Sequence, residues 1–157
     1  MIRITSRVDP HRARATAEPA VSATLELAFE ARSRSRLRTT LSSGEEAAIF
    51  LERGQVLRDG DLLLAEDGRI VRVQAAPERV STVRGASARD LLRAAYHLGN
   101  RHVALQVAPD HLRYLHDHVL DDMVSGMGLT VTVENAPFEP EAGAYHSPDG
   151  AAHRHDA

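Results

Sequence analysis

The feature that most limits what this chain can fold into is a change of rhythm at Ala75-Ala76-Pro77. Before it, apolar residues come in short runs with a period near two. After it, helical spacings alternate with short β-branched runs. The first pattern suits strands closing on each other, and the second suits strands joined by helices. The chain therefore reads as an α+β protein in three parts. Residues 1–75 form a small all-β domain, 76–138 a ferredoxin-like domain, and 139–157 a flexible tail.

In the first part Leu25, Leu27 and Phe29 fall on one face of a strand. Arg32, Arg34, Arg36 and Arg38 then share one face of a continuing strand. Such a series is a solvated strand face, or a site for an acidic partner. Ala47 to Leu51 is a short apolar run. Arg58-Asp59-Gly60-Asp61 marks a turn before the strand Leu62–Ala65, and Glu66-Asp67-Gly68-Arg69 marks a hairpin before Ile70–Val73. Several short strands at this spacing predict a small sandwich or barrel-like unit.

In the second part Arg79–Arg84 reads as a strand, and Ser87 can cap a helix starting at Ala88. Gly99-Asn100 is expected to end that helix in a left-handed turn. Val103–Val107 reads as a strand. Pro109-Asp110 is expected to open a second helix running to Gly126 or Gly128, before the strand Leu129–Val133. A full βαββαβ unit needs one more strand, expected within Arg101–Val107 or in the stretch that runs from the last strand to Phe138. From Glu139 onward Pro, Gly, Ala, Ser and Asp dominate, too polar to order the chain by burial.

Composition narrows the function. Cys is absent, so disulfides, thiolate nucleophiles and Cys-based metal sites are excluded together. Aromatic residues are 4% and Trp is absent, so the core must rely on Leu, Val, Ile and Ala. The net charge is +1 over residues 1–75 and −4 beyond, which together make −3 and argue against a nucleic-acid binder. No apolar stretch approaches the roughly 20 residues of a membrane helix. MIRITSRVDPHRARA has no apolar leader. A soluble cytoplasmic protein with no membrane partner is the expectation. No nucleotide-binding, zinc-protease or nucleophile-elbow motif is present, so the sequence argues for binding and not catalysis.

Histidine is the informative residue. Of nine, only His11 lies in the first half. By spacing alone His102 reads as an ordinary strand-edge histidine. One copy cannot hold a transition metal tightly, but two copies across a twofold axis can. On a helix of 3.6 residues per turn His116 and His118 point to nearly opposite sides. His116 then falls half-buried among Leu112, Leu115, Val119, Leu120, Met123 and Met127. His118 is the better surface ligand, with His111 and Asp122 as helpers. His153 and His155 can chelate together if the tail is extended, or they belong to an incidental solvated tail. Closing them onto a His102 pair would raise affinity through effective concentration.

The segments GNRHVALQV, LRYLHDHVLDDMVSGMGLTV and EPEAGAYH, with SRLR and LERGQVLRDGDLL in the first half, resemble the UreE family of urease accessory proteins over nearly the whole chain. That resemblance implies an N-terminal β-domain that binds partner proteins and a C-terminal ferredoxin-like domain that binds metal and dimerises. It makes the histidine of the GN-x-H motif, His102, the central Ni(II) ligand, paired with its copy at the dimer axis. It places secondary sites at His116 and His118, and leaves His153 or His155 as tail ligands to the axis site. With only His146, His153 and His155, the tail departs from members that end in long His runs, against a storage role. The implied function is a nickel metallochaperone. It hands Ni(II) to the GTPase accessory protein UreG and then to the urease apoenzyme complex, from a homodimer that can pair into a dimer of dimers.

Zn(II) and Cu(II) are alternative cargoes in vitro, Cu(II) the tighter. Because a histidine must be neutral to bind, capture should weaken below about pH 6.5. Two rival classes stand beside this one. A metal-independent chaperone module would bind its partners without metal. A metal-dependent hydrolase would need three preorganised ligands around an open position.

Overall fold

The computed structural model describes residues 1–9, 11 and 19–143. The chain divides into two compact units, one ending at Ala76 and the other starting at Pro77.

The first unit contains β1 (Ile2–Arg7), β2 (Ala23–Leu27), a single helical turn α1 (Phe29–Arg32), β3 (Arg36–Thr40), β4 (Glu46–Phe50), β5 (Leu62–Ala65) and β6 (Ile70–Ala75). The six strands form one mixed sheet in the order β2-β6-β5-β1-β4-β3. Thr24 and Ser42 bridge its two ends. Ser42 N–H donates to Thr24 O at 2.9 Å, and Thr24 N–H donates to Ser42 Oγ at 2.9 Å. The sheet thus curls back on itself in the barrel-like manner expected. Its core is aliphatic, led by Ile4, Leu25, Ile49, Leu57, Leu63, Val71 and Val73. At the 66–69 hairpin only Gly68 takes a positive φ, of 89°, so its lack of a Cβ is used there.

The arginine series does not form a continuous strand. Arg32 N–H donates to Ala28 O at 3.0 Å, and this turn of helix breaks the alternation. Arg32 is buried. Its Nε donates to Leu27 O at 3.1 Å and its Nη1 to Leu57 O at 3.2 Å. Arg34 pairs with Glu30 at 2.9 Å. Only Arg36 and Arg38 share an exposed strand face, on β3. Phe29, expected on a strand face with Leu25 and Leu27, instead begins α1.

The second unit contains β7 (Pro77–Arg84), α2 (Ala88–Asn100), β8 (Gln106–Val107), β9 (Leu112–Leu115), α3 (His118–Gly126) and β10 (Thr130–Pro137). Its antiparallel sheet has the order β10-β7-β9-β8. This is the ferredoxin-like βαββαβ arrangement. Ala94 and Leu98 of α2, and Leu120 and Val124 of α3, pack with Val83, Leu112 and Tyr114 of the sheet. Ser87 caps α2, its side chain accepting Asp90 N–H at 3.2 Å.

Two expectations fail here. The missing strand lies inside the segment expected to be the start of the second helix. Leu112 and Tyr114 are buried while Arg113 and Leu115 are not, a period of two. Pairing with β7, Val83 opposite Leu112 and Val80 opposite Leu115, selects the strand over a helix that fits the same apolar residues. The strand expected at 103–107 shortens to Gln106–Val107.

Candidate metal centre

Each histidine is placed by the element that precedes or follows it. Helix α2 does not stop at Gly99-Asn100. It runs through Asn100, Arg101 is its C-cap, and the left-handed residue is His102 itself, with φ of 57°. Among the described residues it is the only non-glycine residue with positive φ. Its N–H donates to Gly99 O at 3.0 Å, as a residue one past a C-cap does. Leu98 is buried in the core and Val103 packs against that core, so the chain is held on both sides of the turn. His102 is exposed. Glycine is usual at this position, and a side chain there costs about 1–2 kcal/mol. The fold therefore bears strain to present an imidazole beyond the helix end.

The His116-Asp117-His118 triplet does not lie on one helix. His116 prolongs β9, its N–H donating to Arg79 O at 3.1 Å. Asp117 is the N-cap of α3, accepting the N–H groups of Val119 at 2.9 Å and Leu120 at 3.2 Å. His118 is the first helical residue and is exposed. The helical-wheel placement of His116 and His118 is thereby corrected, because the wheel began on residues that form a strand.

His116 has company that sequence reasoning missed. Its Nδ1 lies 3.1 Å from Asp121 Oδ2 and 3.2 Å from Ser81 Oγ. Asp121 also accepts the Tyr114 hydroxyl at 2.6 Å. Burial, then the Asp121 carboxylate, pushes the Tyr114 phenol well above its ordinary value of 10.0, so it stays a donor. The expected helpers of His118 are placed otherwise. His111 precedes β9, and its Nδ1 donates to Asp110 Oδ1 at 2.7 Å, which holds the Asp110 carboxyl below its usual range. His111 Nε2 is buried without a partner. Asp122 sits one residue beyond the carboxylate that His116 uses.

On the other face of the same sheet Thr82, Arg113 and Glu134 form a polar cluster. Thr82 Oγ1 donates to Glu134 Oε1 at 2.6 Å, and Arg113 Nε donates to Thr82 Oγ1 at 3.0 Å. The Thr82 hydroxyl, then Arg113, holds the Glu134 carboxyl low. In the first unit a groove of about 460 Å³ is lined by Met1, Arg3, Arg36, Phe50 and neighbours, with no histidine among them. Among the described residues no three His, Asp or Glu side chains of one chain converge on a point. His153 and His155 lie outside the described residues.

Two family models cover the chain. The N-terminal domain of the UreE urease accessory protein matches residues 4–76, and its C-terminal domain matches residues 78–157. The chain belongs to the UreE family. A urease accessory protein UreE from Pseudomonas putida is 61% identical over 137 residues, 87% of this chain and 81% of that protein. UreE of Azotobacter vinelandii is 56% identical over 145 residues, 92% of this chain and 85% of its own. UreE of Burkholderia thailandensis is 52% identical over 155 residues, 99% of this chain and 71% of its own. Matches at this level to UreE proteins run through both units and carry the two-domain architecture with them. Among the described residues no helix is long and apolar enough to cross a membrane.

Proposed function

We propose that this protein serves urease maturation in the cytoplasm as a nickel metallochaperone, a homodimer whose two His102 side chains capture Ni(II) together at the twofold axis. The observation that carries the reading is the backbone of His102. A fold that places a histidine where glycine is favoured keeps that imidazole for a purpose outside its own packing. The side chain is exposed beyond the end of α2, free to meet a copy of itself. Neutral imidazole suits Ni(II).

Two His102 ligands joined by the tail donors His153 and His155 would bind tightly enough to capture and loosely enough to release. His116 and His118 serve secondary sites. The recipient is a GTPase of the UreG type and then the urease apoenzyme complex. Zn(II) and Cu(II) compete for the same nitrogen donors. The chemistry asks for no turnover, so the protein is a carrier and not an enzyme.

The test is calorimetric titration of Ni(II) into the wild type, His102→Ala and a truncation after Tyr145, with mass read by light scattering. Loss of the tightest site in His102→Ala, with the dimer intact, supports the axis site, and the truncation reports the share of the tail. Tight binding that survives His102→Ala overturns it.

A further inference from the structure

Two elements of the second unit, β7 and α3, close on a single nitrogen of His116. Ser81 of β7 and Tyr114 of β9 stand opposite each other in the ladder, and both are fully buried. The Tyr114 hydroxyl donates to Oδ1 of Asp121 in the first turn of α3 at 2.6 Å. Asp121 Oδ2 and Ser81 Oγ both lie close to His116 Nδ1, at 3.1 and 3.2 Å. Asp121 thus stands between the Tyr114 hydroxyl and the His116 imidazole.

These contacts favour one position for the imidazole hydrogen. A carboxylate only accepts. A hydrogen on Nδ1 turns the 3.1 Å approach of Oδ2 from repulsion into attraction, and in a neutral ring the lone pair is then left on Nε2. The His116 side chain keeps 27% of its surface open. A ring nitrogen backed by a carboxylate on the other nitrogen is the usual state of a metal-bound histidine, because the carboxylate fixes the tautomer and raises the basicity.

We propose that Asp121, held in place by Tyr114, is a positioning residue that locks His116 as the Nδ1–H tautomer and offers Nε2 as an imidazole ligand to a divalent transition-metal ion. The proposal rests on the nickel-binding reading above and deepens it for the secondary site. Asp117 spends its carboxylate on capping α3, and His118 is the first residue of that helix. His116 is thus the oriented ligand of the triplet. One imidazole binds weakly, which suits a station that exchanges metal.

A purely structural clamp predicts something else, and Asp121→Asn separates the two. The carboxamide has the same shape, and its oxygen still accepts the Tyr114 hydroxyl, which keeps α3 on the sheet. Its N–H₂ group then faces His116 Nδ1 and donates to it. The hydrogen moves to Nε2, and the lone pair turns inward.

The experiment uses the full chain as wild type, Asp121→Asn, His116→Ala and the double variant. In metal-free protein, with its histidines neutral, long-range ¹H–¹⁵N correlation reads the His116 tautomer. The wild type should show Nε2 unprotonated and Asp121→Asn should show Nδ1 unprotonated. The same four proteins are titrated with Ni(II) on a His102→Ala background. Asp121→Asn should weaken the remaining site about 10–100-fold, as His116→Ala does, and should add nothing once His116 is gone.

An unprotonated Nδ1 in the wild type overturns the proposal. So does undiminished binding in Asp121→Asn, absence of any Ni(II) at His116, or an Asp121→Asn effect that persists without His116. The tight site, measured with His102 present, judges the nickel-capture reading separately. Its survival in His102→Ala would sink that reading and leave the tautomer result standing.

Discussion

Asp117 accepts the backbone N–H of Val119 at 2.9 Å, and that single contact splits a histidine pair. It places the start of α3 between His116 and His118. One ring is left on the strand side, against Asp121, and the other on the first turn of the helix. Asp117→Ala removes the acceptor for two helix-terminal N–H groups and should cost about 1 kcal/mol. Asp117→Ser and Asp117→Asn should recover most of it. The shift in urea midpoint across the three variants checks this, and an unaffected Asp117→Ala would show that the cap is not what starts the helix.

At position 102, glycine relieves the left-handed backbone while deleting the proposed ligand. His102→Gly should therefore stabilise the fold by about 0.5–1 kcal/mol, the strain relief being partly offset by the freer unfolded chain. His102→Ala should not stabilise it. A gain in stability joined to a loss of Ni(II) binding is the signature of a residue kept for function. Denaturation midpoints of the two variants, measured without metal, decide it.

Arg32 donates to the carbonyls of Leu27 and Leu57 from a fully buried position. Arg32→Met keeps the bulk and strips these donors, at a cost of about 2–3 kcal/mol. Hydrogen exchange should show the loss of protection in β2 and around Leu57, within residues 1–76. Equal loss in the second unit would contradict the assignment.

Arg69 donates to Asp67 at 2.8 Å and to Glu45 at 2.7 and 3.0 Å. Glu45 is held below its ordinary 4.5 chiefly by the Arg69 side chain, and Asp67 below its ordinary 3.8 chiefly by the Arg69 backbone N–H. Carboxylates so lowered bind fewer protons folded than unfolded. Their contribution is full above those ordinary values and is lost as pH falls through the lowered ones. Arg69→Ala should therefore lower Tm modestly at neutral pH, since the pairs are exposed. The gap to wild type should close in acid, below the ordinary carboxylate values. A gap that stays constant with pH would mean that the ion pairs contribute nothing.

Much of the fold was legible from local pattern. The strand at Leu62–Ala65, the Gly68 turn and the Ser87 cap are set by residues within a few positions of one another, and the folded chain keeps them. The helical turn at 29–32 was hidden because Arg32, Arg34, Arg36 and Arg38 mimic a strand period. What decides it is the burial of Arg32 against the carbonyls of Leu27 and Leu57, the second 25 residues away. Strand β9 was hidden for a related reason. Its apolar residues fit both a helix and a strand, and only the vacancy beside β7 chooses between them.

The candidate site divides the same way. The sequence alone determined which residues can bind metal, since a chain without cysteine has imidazoles and carboxylates to offer, and it places eight of its nine imidazoles in one half. Tertiary structure decided what each histidine can do. His102 became the left-handed residue because Leu98 and Val103 anchor the chain on either side of it. His116 acquired Asp121 and Ser81 because a sheet ladder and a helix cap brought together residues 35 apart in the chain. Local spacing encodes periodicity and caps, whereas a cluster of polar side chains from three elements exists only once long-range pairing has assembled it.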